Sequence, residues 1–300
     1  MKSHKAPPMI DGVSASTIYL EKMSSTQPKC LYDFLCQKFA HIDGDEWRQR
    51  FADGRVFWDD GTPASGNDVY EHGRTIYYYR SLASEVPVPF CHEILFENSA
   101  LMVVDKPHFL TVTPSGQYVQ QTLLTRLKKD SGNPDLSPIH RLDKETAGLI
   151  LISKDPATRG LYQSLFASHA ITKLYHAIAP YRQMAGVVDV HLHLHRGEPF
   201  YTMAVGDGMP NSHTQIRQLS QHGEWAKYEL RPTTGKLHQL RVHLNHLGIP
   251  IKNDPYYPTV CHKAGDDFGS PLQLLAKSLS FIDPITGEEM SFESHRRLEF

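Results

Sequence analysis

One stretch constrains this chain of 300 residues more than any other: Ile139-His140-Arg141-Leu142-Asp143-Lys144-Glu145-Thr146-Ala147-Gly148-Leu149-Ile150-Leu151-Ile152. Its first half is polar and turn-like, with a basic pair, a carboxylate, a Thr and a Gly. Its second half, Leu149 to Ile152, is an unbroken apolar run closed by Ser153-Lys154-Asp155. Four apolar residues between a Gly and a polar cluster predict a short, fully buried strand. Asp143 then sits on a loop entering a core strand, where a side chain is accessible yet rigidly held. Loops on rigid scaffolds carry much of protein chemistry. Taken alone, His-Arg-Leu-Asp is equally well a surface turn.

Composition narrows the field. Hydrophobic residues make up 40% and charged residues 21% of the chain, enough apolar material for a sizeable core. No apolar run reaches the roughly 20 residues needed to span a bilayer. The N-terminal stretch has no apolar secretory signal, which leaves a cytoplasmic location as the expectation. Cys30, Cys36, Cys91 and Cys261 show neither CxxC nor framework spacing and read as reduced thiols. The charge balance, 31 Lys+Arg against 33 Asp+Glu, does not by itself suggest a nucleic-acid partner. It is uneven, however. Residues 1–97 hold 10 basic and 14 acidic groups, residues 98–300 hold 21 and 19.

Taken in order, residues 1–30 read as a loosely ordered lead with a short strand at Thr17–Leu20. Residues 31–88 read as a small domain. Leu31, Phe34, Leu35 and Phe39 have helical spacing, Asp45 to Phe51 opens a second helix, and Asp60-Gly61 signals a hairpin. Thr75–Arg80 is strongly β. After the Pro-spaced linker Glu85–Phe90, residues 89–300 form the main domain. It opens with a hairpin of Glu93–Asn98 and Leu101–Pro107. Gln121–Lys129 and Thr158–His169 predict helices, the latter with Leu161, Leu165 and Phe166 inward. Lys173, Tyr175 and Ala177 share one strand face, and spacing alone makes Tyr175 a core or edge aromatic. His191, His193 and His195 invite a zinc reading. Alternate strand residues lie about 6–7 Å apart, too far for a tetrahedral ion with Zn–N near 2.0–2.1 Å. A solvent-facing strand without metal is the expectation.

The signature His140-Arg141-Leu142-Asp143-x-x-Thr146-x-Gly148 resembles the catalytic motif of RluA-type pseudouridine synthases. Ala147 stands where that family commonly has Ser. Further stretches extend the resemblance over roughly residues 90 to 300: Val104-Asp105-Lys106-Pro107, Lys173-x-Tyr175-x-Ala177, and Thr234-Gly235-Lys236-Leu237-His238-Gln239-Leu240-Arg241-Val242-His243-Leu244 leading to Asp254. Lys236 replaces the usual Arg and Asn253 the usual Gly. The two helices and hairpin of residues 31–88 resemble an S4-type RNA-binding module, although residues 31–97 carry six basic against twelve acidic groups.

The resemblance implies an α/β (α+β) fold with a long, mixed, mostly antiparallel sheet, flanking helices and a central cleft. It implies an isomerase that converts uridine in structured RNA to pseudouridine, and the S4-like module favours ribosomal over transfer RNA as its substrate. No cofactor, metal or membrane is involved, RNA is the partner, and the chain acts as a monomer. Asp143 is the implied catalytic carboxylate, with Tyr175 stacked on the uracil near C5 and Arg241 paired with Asp143. Arg141 would plug the space vacated by the flipped base, and His140, Lys106, Lys173, Lys236, His238 and Gln239 would lie on the RNA side. A strand-end Lys106 either reaches a phosphate or is simply solvated.

Overall fold

The computed structural model describes residues 7–22, 28–80 and 84–300. Two segments of the N-terminal lead, residues 1–6 and 23–27, lie outside the described residues. The chain divides into two compact units.

The first unit runs to Glu85 and includes Gly116–Gln120 and Thr125–Pro134. It contains β1 (Ser16–Tyr19), α1 (Leu31–Lys38), α2 (Gly44–Ala52), β2 (Val56–Trp58) and β3 (Thr75–Tyr78), with sheet order β1-β3-β2. Asp43 starts α2 by accepting a hydrogen bond from the Asp45 amide at 2.9 Å, a conventional N-cap. Leu31, Phe34, Leu35, Trp47, Val56, Trp58 and Ile76 form its core. Asp60-Gly61 does make a tight turn, with the Trp58 amide bonded to Thr62 O. The strand that pairs along β2 is nonetheless β3, well beyond that turn.

The second unit is built on one sheet of 11 strands among the described residues. Its elements are β4 (Glu93–Glu97), β5 (Leu101–Lys106), α3 (Leu123–Ser131, whose later turns belong to the first unit), β6 (Ser137–Pro138), β7 (Ala147–Ser153), α4 (Pro156–Ala167) and β8 (Thr172–Pro180). There follow β9 (Val187–Arg196), β10 (Met203–Gly206), β11 (Ser212–His222), β12 (Trp225–Pro232), α5 (Gln239–His246), β13 (Leu274–Ile282) and β14 (Glu289–Glu293). The order is β10-β9-β11-β12-β8-β13-β7-β5-β4, with β14 on β13 and β6 on β7. Pairing is antiparallel throughout these strands except between β13 and β7.

The apolar run Leu149–Ile152 lies within β7, all seven residues of which are buried. Gly148 explains why a glycine must precede it. Its φ is +109°, and an added Cβ would lie 2.3 Å from the Ala276 carbonyl of β13. Only Gly adopts that backbone at no steric cost and allows this approach. Ala276 is also the partner of Tyr175 on β8. One β13 residue therefore has Gly148 on one side and Tyr175 on the other, which draws the turn before β7 towards the strand that carries the tyrosine.

Two apolar cores flank this region. One gathers Leu101, Val103, Leu149, Leu151, Tyr162 and Phe281, the other Ile216, Tyr228, Leu230, Leu240, Leu244 and Leu274. On α4, Leu165 and Phe166 pack against the first of these cores as expected, but Leu161 does not. Tyr162 is fully buried and donates to Asp283 at 3.0 Å, whereas Leu161 is 47% exposed. The buried hydroxyl–carboxylate bond turns Tyr162 inward, and its neighbour Leu161 then faces out.

Candidate active site

The turn that carries Asp143 is closed by the Thr146 amide donating to Asp143 O at 3.1 Å. Its remaining carbonyls are taken up by side chains from the end of β5. Lys106 Nζ donates to Lys144 O at 3.2 Å, and also to Pro107 O at 2.9 Å and Leu110 O at 2.8 Å. His108 Nδ1 lies 2.7 Å from Glu145 O. Burial pulls Lys106 down to about 7, with Glu145 and Asp143 working in the other direction. Three carbonyls match the three N–H groups of an ammonium. Lys106 is thus a brace under the turn. It is fully buried and absent from the cavity wall, because its donors are spent on backbone.

On the N-terminal side of the turn, His140 Nε2 accepts the Leu151 amide at 3.1 Å and Nδ1 lies 3.1 Å from Arg141 O. This fixes the tautomer with the proton on Nδ1. The ring stacks on Phe166 at 4.5 Å, and burial lowers its pKa to about 4, so it stays neutral. His140 lines the cavity, but both its nitrogens are engaged with backbone.

The opposite wall comes from the segment 232–241. Gln239, almost fully buried, ties this segment together. Its Oε1 accepts from Thr234 Oγ1 at 2.8 Å and the Lys236 amide at 3.0 Å, and its Nε2 donates to His213 O and Thr214 Oγ1, both at 3.0 Å. Chain reversal into α5 occurs at His238, which takes a left-handed φ of +50°. From α5, Arg241 reaches back, 1% exposed. Its Nε and Nη2 form a fork on Asp254 at 2.8 and 2.6 Å, and the Tyr256 ring lies 4.8 Å from the guanidinium. Burial opposes its charge, but Asp254 and then Asp143 more than compensate, and its pKa is raised.

That fork leaves Nη1 over. Arg241 Nη1 is buried, has no hydrogen-bond partner among the described residues, and stands 3.5 Å from Asp143 Oδ2. His238 Nε2 stands 3.8 Å from the same oxygen. Tyr257 Oη accepts the Met203 amide at 2.8 Å and contacts His238 Nδ1 at 3.0 Å. With the phenol proton directed to Nδ1, the imidazole proton is on Nε2 and faces Asp143. Burial lowers His238 to about 4, so it does this as a neutral ring.

Asp143, 24% exposed, and Arg241, His238 and Tyr175 border one cavity of about 510 Å³. Arg141, His140, Lys173, Lys236 and Gln239 line it too. Lys173 is turned aside onto Thr234 O at 3.2 Å, and burial lowers its pKa. Burial and then the Asp143 charge push the Tyr175 phenol up to about 12, so it stays protonated at neutral pH. The cavity can take a flat base against Tyr175 with a carboxylate at its edge. Sequence reasoning missed Asp254. The signal was present, because Asp254-Pro255 belongs to the same quoted stretch as Arg241, yet nothing in its spacing showed that Arg241's fork would close on it.

This fold agrees with the comparisons to known proteins. Residues 100–246 match the family model described as RNA pseudouridylate synthase. The ribosomal large subunit pseudouridine synthase D of Zymomonas mobilis is 32% identical over 217 residues, 67% of this chain and 68% of that protein. The mitochondrial tRNA pseudouridine(32) synthase of Saccharomyces cerevisiae is 27% identical over 240 residues, 76% of this chain and 50% of that protein. Among solved structures, human RNA pseudouridylate synthase domain containing 4 superposes with a TM-score of 0.51 at 29% identity, covering 69% of this chain and 88% of its own. The chain belongs to the RluA-type RNA pseudouridylate synthases. It is an RNA pseudouridine synthase, an isomerase acting on RNA.

Proposed function

We propose that Asp143 is the catalytic carboxylate for isomerisation of uridine in ribosomal RNA, and that the reaction needs no cofactor. In the reaction the N1–C1′ bond breaks, the uracil turns, and C5 bonds to C1′. The C5 proton leaves and N1 gains one, so neither an oxidant nor a group donor is consumed. The observation that carries this reading is the leftover Arg241 Nη1, 3.5 Å from Asp143 Oδ2 at the edge of an open cavity. A carboxylate so positioned stays available to the sugar and base, because Arg241 is already fastened elsewhere. Tyr175 supplies the face against which the extruded uracil stacks. Flipping a base costs a few kcal/mol, and stacking returns about 1–3 kcal/mol. Arg141, exposed on the cavity wall, occupies the vacated position in the RNA.

The Zymomonas relative, named for the ribosomal large subunit, supports a ribosomal substrate. Two helices followed by short strands in residues 31–78 support an S4-like module in the first unit. Its Arg48, Arg50, Arg55 and Arg74 each lie within ion-pair distance of an acid.

Release of tritium from 5-tritiated RNA tests the chemistry. Asp143→Asn should stay folded, bind RNA and lose turnover by several factors of ten; more than about one-tenth of the wild-type rate would remove Asp143 from the chemistry. Mapping pseudouridines with and without the gene tests the substrate. A missing modification confined to transfer RNA, as the yeast relative's name would suggest, would overturn the ribosomal reading.

A further inference from the structure

We propose that Asp189, His191 and His213 form a three-ligand site for a divalent transition ion on the exposed face of β9 and β11, separate from the Asp143 cavity. Three histidines along one strand are too widely spaced for an ion, but strand pairing offers a different set. In the antiparallel register His213 lies directly opposite His191, and Gln215 opposite Asp189. Asp189 and His191, two residues apart, share a face, so the cross-strand imidazole completes a compact trio. The ligand atoms of the three lie within 4.8 Å of one another.

Several features make this more than a chance cluster. The two imidazoles stack at 4.0 Å with planes 8° apart, so their in-plane lone pairs run side by side and the exposed His191 ring must turn for both to meet one ion. His213 Nε2 is already directed at Asp189 Oδ1, 2.8 Å away. Its other nitrogen, Nδ1, is 3.0 Å from Thr233 Oγ1. Metal-bound histidines almost always have such a partner on the second nitrogen, which fixes tautomer and ring orientation. Gln215 Nε2 holds the same Asp189 oxygen at 3.2 Å, leaving the second carboxylate oxygen for an ion. Tetrahedral zinc, with bonds of about 2.0–2.1 Å, separates its ligand atoms by roughly 3.3 Å. Closing the trio to that spacing needs up to about 1.5 Å of movement, which a turn of the exposed His191 ring supplies. Two imidazoles and one carboxylate suit zinc and its first-row neighbours, and the fourth position is open to water.

An ion here would also hold the segment that forms one wall of the cavity. The His213 amide donates to Thr234 Oγ1 at 2.9 Å, and the His213 carbonyl accepts from Gln239 Nε2 at 3.0 Å. Fixing the His213 ring therefore anchors the backbone that positions residues 233–239.

The test uses untagged full-length protein, stripped with chelator and titrated with Zn²⁺ in a calorimeter, with Co²⁺ as a spectroscopic substitute. One ion per chain should bind. Asp189→Asn and His191→Ala should each weaken binding at least about tenfold, and Thr233→Val, which removes the orienting hydroxyl, by about 10-fold or more. His195→Ala should leave the affinity unchanged. Zinc should also shift the imidazole NMR signals of His191 and His213 in the wild type, a readout that needs no variant. No stoichiometric binding, or affinity indifferent to both Asp189→Asn and His191→Ala, would overturn the proposal; the second result would assign the ion to the other histidines of β9.

Discussion

Two buried cations, Lys106 under the Asp143 turn and Arg241 across the cavity from it, solve the same problem in opposite ways. Lys106 is surrounded by neutral carbonyls, and burial drags its pKa down to about 7. Arg241 is clasped by a buried carboxylate and faces a second, and its pKa is raised. A lysine ammonium offers three rotatable donors that suit scattered carbonyls. A guanidinium offers a planar fork that suits one carboxylate, with donors remaining for another. The first cation therefore serves geometry and the second serves charge.

The comparison breaks most visibly at Arg241. Arg241→Met would strand Asp254 in a fully buried position and leave Asp143 without its cation. Breaking one side of such a buried pair commonly costs about 3–5 kcal/mol. Denaturant unfolding should show that loss together with loss of turnover. An active variant with an unchanged midpoint would mean that Asp254 and Asp143 need no counter-charge.

Lys106→Met should cost less, because carbonyls are left unpaired but no charge is stranded. An unsatisfied buried acceptor costs about 1–3 kcal/mol. Stability should fall by roughly that amount, and turnover should fall because the turn loses its brace. Linkage sharpens the contrast. A lysine whose folded pKa lies below its unfolded value leaves the unfolded chain holding more protons, so stability rises with pH between those values. Wild type should gain on Lys106→Met as pH is raised from about 7 towards about 10. A difference flat over that range would mean that the ammonium is not strained by its burial.

At lower pH the histidines give a slope of the same sign. His108, His140, His176, His238 and His243 are each held down to about 4, chiefly by burial. Their unfolded pKa is near 6.5, so the unfolded chain takes up these protons first and stability falls as pH drops from about 6.5 to about 4. Unfolding midpoints at pH 7 and pH 5 should differ accordingly, and His243→Gln should reduce the difference. Equal midpoints would show that these rings accept protons in the folded state.

The smallest effect on stability is expected at Tyr175. Tyr175→Phe keeps the flat face and should bind RNA nearly as wild type does. Tyr175→Leu removes the face and should lose about 1–3 kcal/mol of binding. Single-turnover rates and RNA affinities for both variants separate the ring from the hydroxyl. Equal affinity for both would make Tyr175 a packing residue.

Much of the site was legible in sequence because local chemistry fixes it. Leu149–Ile152 had to be a buried strand, and β7 is one. Asp143 had to lie on the turn before it, and Gly148 marks a close approach that no other residue allows. Resemblance added Tyr175 and Arg241, and both border the same cavity as Asp143.

What sequence left open depends on partners distant along the chain. Lys106 was an exposed strand end or a phosphate ligand until three carbonyls claimed its protons. Arg241 was read as the partner of Asp143, whereas its fork belongs to Asp254 and only Nη1 faces Asp143. His213 had no connection to His191 until β11 lay against β9 in a particular register. Periodicity and turn chemistry act between near neighbours, so the sequence by itself determined the strands, the turn and the residue types at the site. Hydrogen bonds and ion pairs are decided by which groups the folded sheet brings within about 3 Å, and that assignment belonged to the tertiary structure alone.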